Sequence, residues 1–140
     1  DWQYMSSFEY FDRANEKGYD KFTQIAANLA MVAKLPKDLR DDLTVIFLTH
    51  SEDSTDINGN RKIKAKTIGK MIDNTLTLEG LFSIVLFGKV NKNDDGVLEY
   101  GFETQNSGEN TCKSPMGMFE DNFIPNDLKF VKDCIEEYNK

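Results

Sequence analysis

The chain has 140 residues, 39% of them hydrophobic and 29% charged, with a formal net charge of -7. That length and balance suit one folded domain with a single core, and exclude a disordered chain; no apolar run approaches the ~20 residues of a membrane-spanning helix. The negative charge excludes bulk attraction to nucleic acid or anionic lipid, and two cysteines far apart, Cys112 and Cys134, form neither a zinc motif nor a disulfide framework, as expected of free thiols in the cytoplasm.

The chain begins at Asp1 rather than Met and lacks a basic-then-apolar leader, so a fragment of a longer protein is expected. Residues 6–15 read as a short helix, capped by Ser6 or Ser7, with Phe8 and Phe11 on one side. Gly18 interrupts it. A second helix is expected from about Tyr19 to Lys34, where Phe22, Ile25, Ala26, Leu29, Val32 and Ala33 recur at helical spacing. Pro36 ends it.

Residues 43–48, LTVIFL, form an apolar run without alternation. That pattern predicts a strand buried on both faces, as in a helix-covered parallel sheet. It ends in Thr49 and His50, the sole histidine. In open α/β sheets, ligands bind beyond the C-terminal ends of strands, so His50 is a candidate site residue. A loop over 54–60 carries an Asn58-Gly59 turn signal. Arg61, Lys62, Lys64, Lys66 and Lys70 then occur in a stretch without acids. Lys62, Lys64 and Lys66 alternate with Ile63 and Ala65, which predicts a short extended segment with one basic face able to hold phosphates.

A helix is expected over 67–74, an apolar strand over 82–90, a tight turn at Asn93-Asp94-Asp95-Gly96, and a partner strand over 97–104. Residues 91–96 imitate the start of a calcium loop, but Phe102 stands where a bidentate Glu is needed, so a hairpin turn is the reading. Residues 105–125 look irregular. They hold Lys113 within TCKSPMGMFE, and Met116, Met118, Phe119 and Phe123 read as core or interface packing. A final amphipathic helix is expected over 126–138, with Leu128, Val131, Cys134 and Ile135 on one face. The order is α/β and incomplete, because a central buried strand needs neighbours on both sides.

Several blocks, in this order, carry a resemblance: DWQYM, GYDKFTQIA, LTVIFLTHSED, KIKAKTIGKMIDNTLTLEGLF, FETQNSGENTCKSPMGMF and NDL. Together they resemble the C-terminal half of a RecA-like P-loop ATPase core. The family is that of phage and prophage ATP-binding proteins of the AAA group, related to phage RecA-like single-strand annealing ATPases.

The resemblance implies that residues 1–140 are part of a single RecA-like domain: buried strands flanked by helices, then a C-terminal β-hairpin and helix. The GxxxxGK[ST] phosphate loop is absent and is expected upstream. Asp1 matches the end of the Walker B strand and would bind Mg2+ beside ATP. His50 and Thr49 match the γ-phosphate sensor. Arg61, Lys62, Lys64 and Lys66 match the DNA-facing loop, and Lys113 matches the basic residue pushed into a neighbour's ATP site. The implied activity is ATP binding or hydrolysis in phage DNA recombination or replication, with single-stranded DNA as partner, self-association into a ring or filament, and no membrane. The alternative class is a non-enzymatic protein-interaction module docking through residues 116–123.

Overall fold

The computed structural model describes residues 2–55, 57–67 and 77–140, with side chains from position 7 on. It is a mixed α/β chain that divides into two compact units. The first holds residues 1–52 and 64–81, the second 53–63 and 82–140.

In the first unit, α1 (Trp2–Asp12) and α2 (Asp20–Lys34) form a helix pair. Ile25, Leu29 and Ala33 are spaced four residues apart, so they stack on one stripe of α2, and all three are buried. Tyr10 and Ala26 pack against this stripe. Lys21 shares the stripe, buried, with its ammonium over the Tyr10 and Phe22 rings and donating to the Arg13 carbonyl at 3.3 Å. A cation buried this way keeps a carbonyl partner and two ring faces. The α-helix ends at Lys34, as expected ahead of Pro36, and a separate 3-10 turn follows, Leu35–Asp38, with the proline in its first turn, where no N–H is needed.

The strand expected over 43–48 is not there. These residues have no assigned regular structure, and Leu43, Val45, Ile46 and Leu48 are exposed, Leu48 at 74%. An apolar run becomes a buried strand only if neighbours take up its N–H and C=O groups and cover its faces. Among the described residues no strand does so. The first paired strand starts after it: β1 (Ser51–Thr55), in a two-stranded sheet with β2 (Arg61–Ala65). Gly59, at φ +84°, supplies the left-handed turn conformation between them. The helix expected over 67–74 falls, beyond Thr67, outside the described residues. A 3-10 turn at Leu78–Leu81 follows, with Leu78 and Glu79 buried.

The second unit is built on a three-stranded antiparallel sheet of order β3-β4-β5: β3 (Phe87–Lys92), β4 (Leu98–Glu103) and β5 (Phe123–Pro125). The β3–β4 turn is the expected hairpin. Asn93 accepts the Val97 N–H on its side-chain oxygen at 2.8 Å, and Gly96 sits at φ +80°. Gly101 lies opposite Pro125, against the Phe123 ring. The closing helix, α3 (Leu128–Tyr138), is capped by Asp127, whose carboxylate accepts the N–H groups of Lys129 and Phe130 at 2.8 and 3.3 Å. Val131 is the buried residue of its apolar face, while Leu128 is 44% exposed.

The described sheets are small and antiparallel, not the parallel sheet of a RecA-like core. No described helix is long and apolar enough to cross a membrane.

Candidate functional site

His50 and Thr49 were expected at the end of a buried strand. They are exposed residues leading into β1. The physical reason is that residues 43–48 form no strand among the described residues, so Thr49 and His50 do not stand at a strand end. The His50 carbonyl does have a fixed place, accepting the Lys66 N–H at 2.8 Å and closing the base of the β1–β2 hairpin. One residue earlier, the Ala65 N–H donates to the buried Glu79 carboxylate at 2.8 Å. His50 and Lys66 are therefore brought together through their backbones.

The basic strand exists as expected, but its charge is partly matched. Arg61 donates to Asp53 through two nitrogens, at 2.9 and 2.8 Å, and Lys64 pairs with Glu52 at 3.3 Å. Both acids stand on β1, directly across the hairpin. The Arg61 bond holds the Asp53 carboxyl below the usual carboxylate range, and Asp53 in turn raises Arg61. Lys62 is half-buried and its carbonyl accepts the Ser54 hydroxyl at 3.0 Å. The hairpin is a charge-paired ribbon rather than a bare cationic strip. Arg61 and Lys62 fall in the second unit, and Lys64, Lys66, Thr49 and His50 in the first. Asp1 lies outside the described residues.

Lys113 is the most firmly mounted of the candidates. Its N–H donates to the Val85 carbonyl at 2.9 Å and its carbonyl accepts the Val85 N–H at 2.8 Å, an antiparallel bridge in a stretch that reads as irregular. Both neighbours are pinned as well. Ser114 donates its hydroxyl to the carbonyl of the buried Thr104 at 3.1 Å and accepts from Gln105 at 2.6 Å. Cys112 is 2% exposed, and its N–H donates to the Asn110 side-chain oxygen at 3.0 Å. The half-buried Lys113 thus has its backbone fixed on three successive residues.

Behind Cys112 runs a polar chain that sequence reasoning missed. Lys89 donates to one oxygen of Glu103 at 2.6 Å, and the Asn110 amide donates to the other. The Asn110 oxygen is left to accept from the Cys112 N–H and thiol. Each link has one polarity. An ionised carboxylate only accepts, so Asn110 must present its NH2 to Glu103 and its oxygen to Cys112. Asn110 is 2% exposed, and both ends of its amide are hydrogen-bonded, as a buried amide requires. Glu103 raises Lys89 through this hydrogen bond, and burial pushes the Cys112 thiol up, which keeps it neutral. These partners lie 7 and 14 positions apart, so no local motif announces them.

Of the expected docking segment, only part projects. Met116 is 92% exposed, beside Gly117 at φ +81°, whereas Met118 is buried in the second unit. Among the described residues no group of three His, Cys, Asp or Glu side chains is placed to hold a metal ion. Neither the protein-family models, nor the curated proteins, nor the solved structures contain a match to the chain.

Proposed function

We propose that the chain is part of an ATP-driven protein acting on single-stranded DNA. Lys113 offers a cation to a neighbouring subunit's triphosphate, and the β1–β2 hairpin meets the DNA backbone. The observation that supports this most is the mounting of Lys113. A charge that stabilises a transferring phosphoryl group must be held in place beforehand, because flexible cations lose their advantage to reorganisation. The Val85 bridge and the anchored Cys112 and Ser114 fix the backbone from which Lys113 would present that charge. The order of sequence blocks given above supports the same reading, phage DNA recombination or replication included.

The described residues offer charge toward phosphate but no cradle for it. They contain neither a GxxxxGK[ST] loop nor a metal-holding trio. ATP and Mg2+ would therefore be gripped by other residues, Asp1 among the candidates. His50 and Thr49 contribute on this reading as groups able to hydrogen-bond a phosphate or a water. The apolar run at 43–48 also fits. With Leu43, Val45, Ile46 and Leu48 exposed, it has the composition of a strand that gains its neighbours on assembly into a larger sheet.

The test is ATP turnover by the natural gene product, with and without single-stranded DNA. Lys113→Ala should lower kcat by roughly a hundredfold or more. Turnover unchanged by that substitution overturns the assignment of Lys113. A second reading, a non-enzymatic docking module, is favoured by the 92% exposure of Met116. It predicts no ATP turnover under either condition and a partner lost on Met116→Ser.

A further inference from the structure

The sheet of the second unit has two edges, and they are finished differently. β5 is 3 residues long and ends in Pro125, which has no N–H to offer a further strand. β3 is 6 residues long, and among the described residues β4 is the one strand that pairs with it. The Asn93 N–H donates to the Val97 carbonyl at 2.9 Å, so by the alternation of antiparallel pairing Asn91 and Lys89 also turn their backbone groups toward β4. Gly88, Val90 and Lys92 turn theirs outward. These are the exposed positions of the strand, Val90 at 50%. Lys92 carries the charge that could guard this edge, but its side chain leans back over the hairpin turn, its Cε 3.4 Å from where a Cβ on Gly96 would stand. Beside Val90, on the same face, is Tyr100, its partner in the β3–β4 register, exposed at 61%. A strand edge with outward backbone groups and an apolar flank is a template for another strand.

We propose that the outer edge of β3 pairs with β3 of a second copy of this chain, antiparallel, about a two-fold axis at Val90. The strand's own residues single out this partner and this register. With Val90 opposite Val90, Gly88 of each copy stands opposite Lys92 of the other, and the outward N–H and C=O groups at all three positions find one another. The lysine arrives over a glycine. A Cβ on Gly88 would meet nothing within 4 Å, so the lysine stem has open space. On the other face Lys89, bonded to Glu103, comes to stand opposite Asn91. No like charges face one another. The neighbouring two-fold registers are worse. An axis at Lys92 or at Lys89 sets two lysines directly against each other, and an axis at Gly88 or Asn91 runs each strand past the end of its partner. The Val90 axis also joins Tyr100 and Val90 of one copy to Val90 and Tyr100 of the other in a single apolar row across the joined sheet. Such a pairing closes on itself, because each copy uses the same patch. It is small, so association is expected at micromolar concentrations. It uses none of the residues assigned above to ATP or DNA and does not depend on that assignment.

The experiment applies two readouts to the natural gene product. The first is disulfide trapping. Directly opposed residues of a hydrogen-bonded antiparallel pair have Cα atoms about 5.5 Å apart, within reach of a disulfide. Val90→Cys should therefore give a covalent dimer under mild oxidation, linked through position 90 by peptide mapping. Lys92→Cys, with its two copies roughly 14 Å apart, should not. The second readout is sedimentation equilibrium. Val90→Lys sets like charges across the axis and should weaken association roughly fivefold or more. Gly88→Glu sets a carboxylate opposite Lys92 of the second copy and should tighten it about twofold. A monomeric parent overturns the proposal and leaves the edge to a strand of another protein. Association indifferent to both charge variants overturns it in favour of another surface, and equal trapping at 90 and 92 overturns it as chance collision. Should Val90→Lys fail to fold by circular dichroism, Gly88→Glu decides by its sign, since loss of structure does not tighten a dimer. None of these measurements reads ATP or DNA, so a failure here leaves the function proposed above standing.

Discussion

Two stretches of this chain reverse what their compositions suggest. Residues 43–48 form a run of five apolar side chains in six, yet Leu43, Val45, Ile46 and Leu48 are exposed and the run belongs to no described sheet. Residues 112–114, Cys-Lys-Ser, read as loop, yet each is tied by hydrogen bonds to β3, β4 or the segments beside them. The difference shows that apolarity prepares a segment for burial but does not bury it. A strand forms where its backbone groups find partners, and a polar loop bonded at three successive residues is firmly placed.

The contrast should first be broken at Gly101, in the sheet under the anchored loop. A Cβ there would stand 2.3 Å from the Phe123 ring and 2.6 Å from the Ile124 carbonyl. The ring end can swing away, but the carbonyl belongs to the β4–β5 ladder and cannot. Gly101→Ala should destabilise the second unit by about 1–3 kcal/mol, the usual cost of overpacking. A denaturant midpoint equal to the parent's would mean that β5 is not held as described.

A smaller effect is expected at the cap of α3. Asp127→Ala removes the acceptor of the Lys129 and Phe130 N–H groups and should cost about 1 kcal/mol. Helical circular dichroism during urea unfolding would reveal it. By contrast, Leu48→Ser, at a position 74% exposed, should change stability by no more than about 0.5 kcal/mol. A larger loss there would place residue 48 against a partner and cancel the contrast.

The pH dependence sharpens the same comparison. The Cys112 thiol is raised by burial, and Lys89 is raised by its bond to Glu103. A raised folded pKa contributes stability that is present below the unfolded value and lost as pH climbs toward the folded one. For the thiol the loss begins near pH 8.5 and for the lysine above about pH 10. The second unit should therefore weaken on the alkaline side, and Cys112→Ala should remove the first part of that slope. Thermal melts between neutral and alkaline pH would show it, and a flat profile would contradict the buried thiol. Cys112 should also resist thiol reagents in the folded state longer than the half-buried Cys134.

Much of the fold was legible where the signal is local. The stripe of Ile25, Leu29 and Ala33 predicts α2, Asp127 marks the start of α3, and Asn93 with Gly96 marks the β3–β4 hairpin. The alternating lysines predict β2. Its partner did not announce itself: β1 is Ser-Glu-Asp-Ser-Thr, with no apolar residue, and is a strand because β2 lies beside it with matching cations. That match also explains why the basic patch looked barer in sequence than it is. The candidate site was legible residue by residue, in His50 and Lys113, but not in what holds them. Lys89, Glu103 and Asn110 meet only through the fold, and hydrogen-bond chains across such separations leave no periodicity to read.

The most direct test of the functional account mixes two inactive variants of the natural gene product, His50→Ala and Lys113→Ala. If the lysine serves a neighbour's ATP site while the histidine serves its own subunit, mixed assemblies contain sites with both groups intact. ATP turnover in the presence of single-stranded DNA should then reappear on mixing. Two silent variants that stay silent together, although shown to co-assemble, would contradict it.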